Sequence, residues 1–152
     1  MFTGYIDSAI GIIEVKASNL TLLSVLFVEE KQPSVENNIV KHFTQEIDAY
    51  FKGHLTNFTL PLIKGTPFQL QVWDELTQIP YGETSTYSQI SQKIQREKAF
   101  RAVGTAIGKN KLALVIPCHR VVGKNGEIAG FAWGTWRKEW LLSHEKGLSN
   151  KS

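Results

Sequence analysis

The single cysteine of the chain, Cys118, lies in the segment Pro117-Cys118-His119-Arg120. A thiol reacts as a nucleophile once it has lost its proton, and an adjacent imidazole such as that of His119 supplies a base for this step. The positive charge of Arg120 favours the thiolate, and Pro117 restricts the backbone just before the cysteine. The segment therefore predicts nucleophilic chemistry at Cys118, with an inert, buried thiol as the alternative.

Metal chemistry is not indicated. The one cysteine and the four histidines have no zinc-ligand spacing, so we predict no metal and no cofactor. One cysteine cannot form an internal disulfide. The thiol is therefore expected to be reduced, and either buried and inert or reactive.

The composition is that of a folded globular chain: 152 residues, of which 42% are hydrophobic, 11% aromatic and 20% charged. It excludes a wholly disordered, collagen-like or repetitive protein. No apolar run reaches the roughly 18 residues that span a bilayer, and the first ten residues lack the basic region of a signal peptide. We therefore predict a monomeric protein of the bacterial cytoplasm with no membrane partner.

The two halves of the chain differ in charge. Residues 1–66 contain five lysines, no arginine and seven acidic residues, whereas residues 67–152 contain twelve lysines and arginines and seven acidic residues. The second half is basic enough to face a polyanion such as nucleic acid. Its cations also fit a merely solubilising role, and charge alone does not decide between these interpretations.

Hydrophobic periodicity predicts a small α/β lobe over residues 1–66. Apolar runs at 10–13 and 22–28 indicate strands and a hairpin. Apolar residues at every fourth position from Val35 to Phe51 predict an amphipathic helix with Ser34 as its N-cap. Residues 57–62 have the composition of a further short strand.

Residues 67–152 are predicted to be mostly helical. A helix begins at Thr66-Pro67 and stops by Pro80, and further helices are predicted over 87–94, 97–109 and 136–144. Short helices in quick succession indicate a helix-turn-helix. The helix over 97–109 contains small residues that let another backbone approach, either a neighbouring helix or a ligand: Ala102, Gly104, Ala106 and Gly108.

The segment from Ile116 to Val122, with the sequence IPCHRVV, resembles the active-site segment of the O6-alkylguanine-DNA alkyltransferases. The resemblance covers essentially all of residues 67–146, and residues 1–66 are similar only in size and α/β pattern. The other matching positions, each at the family's offset from the cysteine, are Tyr87, Arg101-Ala102-Val103-Gly104, Asn110, Gly130, Gly134, Arg137 to Leu142, and Glu145.

The implied fold is α+β. A small N-terminal structural lobe, residues 1–66, would have an antiparallel sheet and a helix. A mostly helical, winged-helix-like lobe, residues 67–152, would bind DNA and carry the reactive site. Some relatives bind zinc in the first lobe, but this chain has no cysteine there.

The implied activity is single-turnover transfer of an alkyl group, usually methyl, from O6 of guanine in double-stranded DNA to Cys118. In the family the histidine deprotonates the cysteine through a bridging water, which is the role expected of His119, and Glu145 would orient the imidazole. Tyr87 would bind guanine N3 and promote extrusion of the nucleotide from the duplex. Asn110 would tie the recognition helix to the active-site turn.

The implied DNA contact is through the minor groove. Arg101 would fill the space left by the extruded nucleotide, while Ala102 and Gly104 would let the duplex backbone approach their helix. Lys109 and Arg120 are also expected to contact DNA through their charge.

The implied substrate pocket consists of Val121, Phe131, Ala132 and Trp133. The chain departs from many members in the loop Gly130 to Gly134, because Phe131 stands where they have tyrosine and Trp133 where they have glycine. The indole is expected to narrow the pocket, so that methyl groups are transferred well and free O6-benzylguanine reacts poorly.

Three other functions account for less of the pattern. A non-catalytic lesion-binding protein would resemble the alkyltransferase-like proteins, which replace the cysteine that this chain retains. A helix-turn-helix regulator needs long side chains to distinguish bases, whereas the neighbours of Arg101 are small. A cysteine hydrolase needs an oxyanion hole, for which the sequence has no obvious signature.

Overall fold

The computed structural model describes residues 1–128 and 130–147, which form two compact units. The first unit consists of residues 1–62 together with 111–115. The second consists of residues 63–110 and the chain from Ile116 onwards. The division expected from the sequence placed the boundary after residue 66 and kept residues 111–115 in the second lobe.

The first unit is a three-stranded antiparallel sheet with one helix. Its strands, β1 (Phe2–Ser8), β2 (Gly11–Ala17) and β3 (Leu22–Val28), lie in chain order, and α1 (Asn38–Phe51) packs against β1 and β2. The predicted α/β lobe with an antiparallel sheet is confirmed. Its core is built from alternate strand residues and one helix face: Ile13, Val15, Val25, Val40, Phe43, Ile47 and Tyr50.

Residues 57–62 do not form the predicted strand. A strand needs a free sheet edge, and other segments pair with both edges of this sheet. On β1, the amide of Thr3 donates to the carbonyl of Val35 at 2.9 Å. On β3, Val25 pairs with the segment 111–113, its amide donating to the Lys111 carbonyl at 2.8 Å.

The predicted N-cap of α1 at Ser34 is also wrong. The cap is Asn37, whose side-chain oxygen accepts a hydrogen bond from the amide of Val40 at 3.0 Å. Val35, which the prediction placed on the buried face, is 70% exposed and precedes the helix. The helix begins directly after Asn37, which caps it by accepting from Val40, the first buried residue of the helix.

The second unit is mostly helical, as predicted. It contains α2 (Pro67–Thr77), α3 (Tyr87–Lys93), α4 (Phe100–Gly108) and α5 (Thr135–Glu145), and the first three of these helices pack on one another. Two short strands, β4 (Ser85–Thr86) and β5 (Val121–Val122), pair in parallel. Among residues 1–128 and 130–147, no helix is long and apolar enough to span a bilayer.

Two helices in this unit, α2 and α3, begin at side-chain caps. Thr66 and Thr86 cap α2 and α3 in reciprocal capping boxes with Gln69 and Gln89. The start of α4 lies three residues beyond the predicted one, at Phe100, because residues 97–98 form a turn. These starts fix Tyr87 as the first residue of α3 and place Arg101 in the first turn of α4.

Candidate active site

Cys118 begins a single 3-10 turn, Cys118–Arg120, that follows Pro117. Asn110 is buried beside this turn and makes two contacts that hold it. Its side-chain nitrogen donates to the carbonyl of Ile116 at 3.1 Å, and its side chain also hydrogen-bonds Cys118. The position of Asn110 agrees with the predicted tie between the helix before it and the active-site turn.

The thiol of Cys118 is only 5% exposed, and this burial raises its pKa to about 11. The hydrogen bond from Asn110 and the positive charge of Lys138 act in the opposite direction, but they do not outweigh burial. At neutral pH the side chain is therefore a neutral thiol. It needs a base at the moment when it reacts.

His119 is completely buried, and its Nε2 lies 2.5 Å from Oε2 of Glu145. Because an ionised carboxylate can only accept hydrogen bonds, Nε2 carries the imidazole proton. Burial lowers the pKa of His119, although Glu145 acts to raise it, so the ring is neutral at physiological pH. Its Nδ1 has no hydrogen-bond partner among the described residues and is the unprotonated nitrogen of the ring.

Arg120 lies in the interior and is only 5% exposed, whereas the sequence predicted that it contacts DNA. Its Nε and Nη2 donate to the two carboxylate oxygens of Glu145 at 2.7 and 3.1 Å, and its Nη1 donates to the carbonyl of Ile79 at 2.8 Å. All three guanidinium nitrogens therefore have partners. This arrangement disagrees with the expected contact of Arg120 with DNA, because its charge is committed to a buried carboxylate.

The pKa of Glu145 lies well below its usual range. Burial acts to raise it, but the charges and hydrogen bonds of His119 and Arg120 outweigh burial. The backbone amide of Gly82 adds a fourth donor at 3.3 Å. We call His119, Arg120 and Glu145 the buried relay, since they join an ionised carboxylate to a neutral imidazole next to the thiol.

Tyr87, half-buried at the start of α3, also lies near the thiol. Burial raises the pKa of Tyr87, and negative charge on Cys118 raises it further. The loop Gly130 to Gly134 passes beside this tyrosine, because a Cβ placed on Gly130 would lie 3.4 Å from its hydroxyl oxygen. The structure thus brings Tyr87, Cys118 and one end of the predicted pocket loop together.

The other predicted pocket residues differ in exposure. Phe131 and Trp133 are half-buried, and their rings meet edge to face with centroids 5.2 Å apart. Ala132 is exposed. Val121 is fully buried in β5, whose register pairs it with Ser85.

Four of the residues predicted to contact DNA lie on one side of α4 and its C-cap. Arg101, Ala102 and Lys109 are exposed and Gly104 is partly exposed, whereas Val103, Ala106 and Ile107 are buried. We call the first four residues the α4 face. A Cβ on Gly104 would make only an ordinary contact with the Tyr87 ring, at 3.8 Å, so internal packing does not require glycine there.

One functional candidate, Lys138 on α5, was not predicted. It is 1% exposed, burial lowers its pKa, and its charge acts on both Cys118 and His119. The available signal was its position two helical turns before Glu145, which places both side chains on the same helix face. Because a lysine in a charged segment is usually exposed, the sequence did not predict Lys138 in the interior.

Comparison with known proteins agrees with this geometry. Residues 67–147 match the family model described as "6-O-methylguanine DNA methyltransferase, DNA binding domain", and residues 1–63 match its "ribonuclease-like domain". The first match contains every residue described above in the thiol site, the buried relay and the α4 face.

Individual relatives match over nearly the whole chain. A "Probable methylated-DNA--protein-cysteine methyltransferase" of Acanthamoeba polyphaga mimivirus is 42% identical, over 93% of this chain and 94% of its own. The methylated-DNA--protein-cysteine methyltransferase of Methanosarcina acetivorans is 40% identical over 95% and 98%. A Mycobacterium tuberculosis structure, OGT in complex with DNA, has a TM-score of 0.86 and 37% identity, over 95% of this chain and 92% of its own. The chain therefore belongs to the 6-O-methylguanine DNA methyltransferase family.

Proposed function

We propose that this protein repairs DNA by transferring an alkyl group, chiefly methyl, from O6 of guanine to Sγ of Cys118. The observation that carries the proposal is the buried relay. It holds a neutral imidazole, oriented by an ionised carboxylate, in the residue next to the only thiol of the chain. The family to which the chain belongs supports the choice of substrate.

The reaction forms one bond and breaks one. The thiol proton passes to Nδ1 of His119 through a bridging water, the route that the family implies, and Sγ then attacks the alkyl carbon. The bond between that carbon and O6 breaks, its electron pair leaves with the guanine, and the proton that His119 received is finally transferred to the guanine. Positive charge arising on His119 is stabilised by Glu145, which the bidentate bond from Arg120 keeps ionised. The reaction does not regenerate the thiol from the resulting thioether, so each molecule acts once.

Tyr87 is suited to hold the guanine. Because burial raises the pKa of Tyr87, and negative charge on Cys118 would raise it further, the hydroxyl stays protonated and can donate a hydrogen bond to the base. The half-buried rings of Phe131 and Trp133 provide apolar surface for the alkyl group.

The α4 face is suited to the duplex. A large ligand can approach it closely because its side chains are small, except for two exposed cations at its ends, Arg101 and Lys109. Arg101 is the residue with the reach to enter the stack when a nucleotide is extruded. The α4 face would thus open the duplex while the pocket receives the base.

We further propose that the protein works as a monomer in a reducing compartment, the bacterial cytoplasm. Its chemistry depends on one free thiol, which an oxidising compartment would not preserve.

The decisive experiment is incubation of the protein with duplex DNA that contains methyl-labelled O6-methylguanine, followed by intact-mass analysis. We expect a gain of one methyl group per molecule, localised to Cys118 by peptide mapping. The Cys118→Ala variant should bind the lesion without gaining mass. Lesion binding by the unsubstituted protein without a mass gain would favour the non-catalytic lesion-binding function instead.

A further inference from the structure

The first turn of α5 carries two large side chains that contact the loop Gly130 to Gly134, which we call the pocket loop. Nη1 of Arg137 donates a hydrogen bond to the carbonyl of Trp133 at 2.9 Å. The guanidinium carbon of Arg137 also lies 4.6 Å from the centroid of the Trp136 ring, in a cation–π contact. One guanidinium therefore joins the loop backbone to an indole.

Trp136 itself packs against the end of the loop. Gly134 has a φ of +99°, and a Cβ placed there would lie 3.2 Å from Cδ1 and Nε1 of the Trp136 ring. The amide of Gly134 donates to the carbonyl of Phe131 at 3.1 Å, which closes the loop into a turn. The C-terminal end of the pocket loop is thus held by the Trp136 indole and the Arg137 guanidinium.

The other end of the loop faces the reactive site. Gly130 lies beside the Tyr87 hydroxyl, and Tyr87 is close enough to Cys118 for thiolate charge to raise its pKa. Between the two ends, the rings of Phe131 and Trp133 meet edge to face at 70°. A contact that fixes the backbone of Trp133 therefore also restrains the aromatic surface formed by this pair.

We propose that Trp136 and Arg137 are positioning residues that hold Trp133 in place and so limit the size of the alkyl group that the site accepts. This inference rests on the proposed alkyl transfer. It also gives a role to Trp136, which is a large apolar side chain left 54% exposed. Arginine suits the position because its planar fork stacks on a ring and donates to a carbonyl at once, whereas lysine offers only a point charge.

The test compares single-turnover transfer from duplexes that contain O6-methylguanine or O6-benzylguanine. In Arg137→Met the loop loses its charged donor, and we expect the ratio of benzyl to methyl transfer rates to rise about tenfold, the scale of one lost hydrogen bond to a charged group. Arg137→Lys should recover only part of the original ratio. Trp136→Ala, at an exposed position that should not impair folding, should shift the ratio in the same direction.

A matched control is available in the same unit. Arg96 also lies over an aromatic ring, that of Phe68, at 5.8 Å from the centroid, but it makes no contact with the pocket loop among the contacts of the described residues. Arg96→Met should leave the ratio unchanged. In a Trp133→Gly background the indole is gone, so adding Arg137→Met should raise the ratio no further.

Amide hydrogen exchange gives an independent measure of the loop. Arg137→Met should increase exchange at residues 130–134 and leave the buried helix amides of α2 unchanged. Equal slowing of both substrates, or an unchanged ratio in both Arg137→Met and Trp136→Ala, would overturn the proposal. Failure of the proposed function is a different result, because the unsubstituted protein would then transfer no methyl group at all.

Discussion

The buried relay and the α4 face are built in opposite ways. In the relay, side chains 0–6% exposed are joined by hydrogen bonds of 2.5–3.1 Å, and the carboxylate accepts from three side-chain donors. On the α4 face, Arg101, Ala102 and Lys109 are exposed, and Gly104 meets no internal atom that forbids a larger side chain. The relay is organised without any ligand, whereas the side chains of the α4 face are open to solvent.

This difference teaches how the two regions should respond to substitution. A change in the relay leaves a buried charge without its partner, so it should affect both folding and chemistry. A change on the α4 face removes nothing from the interior, so it should affect only the handling of DNA. Three predictions test this separation, and a fourth tests the buried charge of Lys138 near the thiol.

The largest effect is expected for Arg120→Met. It leaves Glu145 buried with its bidentate donor removed, and loss of one partner of a buried ion pair costs about 3–5 kcal/mol. Denaturant unfolding measures this change. Arg101→Met is the control and should alter the free energy of unfolding by less than about 0.5 kcal/mol. Similar values for the two variants would remove the distinction between the regions.

The second effect concerns Arg101→Ala. If Arg101 replaces the extruded nucleotide in the stack, its loss should slow methyl transfer from duplex DNA about 100-fold, corresponding to the few kcal/mol of unstacking. Reaction with free O6-methylguanine base should be unaffected, because no duplex has to open. Single-turnover assays measure the rate of methyl transfer from both substrates. An equal decrease in both rates would exclude the insertion of Arg101 into the stack.

The third prediction is loss of stability in acid. The pKa values of Glu145 and His119 are both lower than normal, so the unfolded chain binds protons that the folded chain does not. The contribution of these two groups to the free energy of unfolding is therefore fully present above about pH 6.5. It falls as the pH drops, first because the unfolded chain protonates His119 and then, below about pH 4.3, because it protonates Glu145. The slope is up to about 1.4 kcal/mol per pH unit for each proton.

Unfolding measured from pH 7 to pH 3 tests this dependence. Glu145→Gln should flatten the part below about pH 4.3. Glu139→Gln, at an exposed position on the same helix, is the control and should keep the original profile. A Glu145→Gln profile that coincides with the unsubstituted one would show that the carboxylate is not held ionised by the relay.

The smallest effect is expected for Lys138→Met. The charge of Lys138 lowers the pKa of Cys118 against the larger effect of burial, so its removal should raise that pKa beyond about 11. Alkylation of the thiol by iodoacetamide should slow by a few-fold at a fixed alkaline pH. Lys146→Met, an exposed change at the end of α5, is the control. An equal alkylation rate in both variants would show that the charge of Lys138 does not lower the pKa of Cys118.

Features set by neighbouring residues were predictable from the sequence. Thr66 and Pro67 mark the start of α2 because capping depends only on the first turn, and the strands of residues 1–28 follow from short apolar runs with a turn between them. The start of α1 was predicted at the wrong residue, because Ser34 has the type of a capping residue but the observed cap bond runs from the amide of Val40 to Asn37. The short segment 57–62 has strand composition, but composition does not reveal which sheet edges are already paired.

Partners distant along the chain were not predictable from charge. Arg120 meets Glu145 25 residues later and the carbonyl of Ile79 41 residues earlier. The sequence indicated that Arg120 is positive, and a positive residue in a basic lobe suggested DNA. The resemblance to a family identified Cys118, His119 and Glu145, and the roles assigned to them stay predictions until the transfer assay is done.

The burial of Cys118 has a consequence for a protein that works once. Such a molecule is wasted if any other electrophile or oxidant consumes its sulfur before a lesion is met. A neutral thiol, 5% exposed and with a pKa of about 11, presents almost no thiolate to peroxides or small disulfides. The burial that makes a base necessary therefore also protects the thiol of the unreacted protein from oxidation and from other electrophiles.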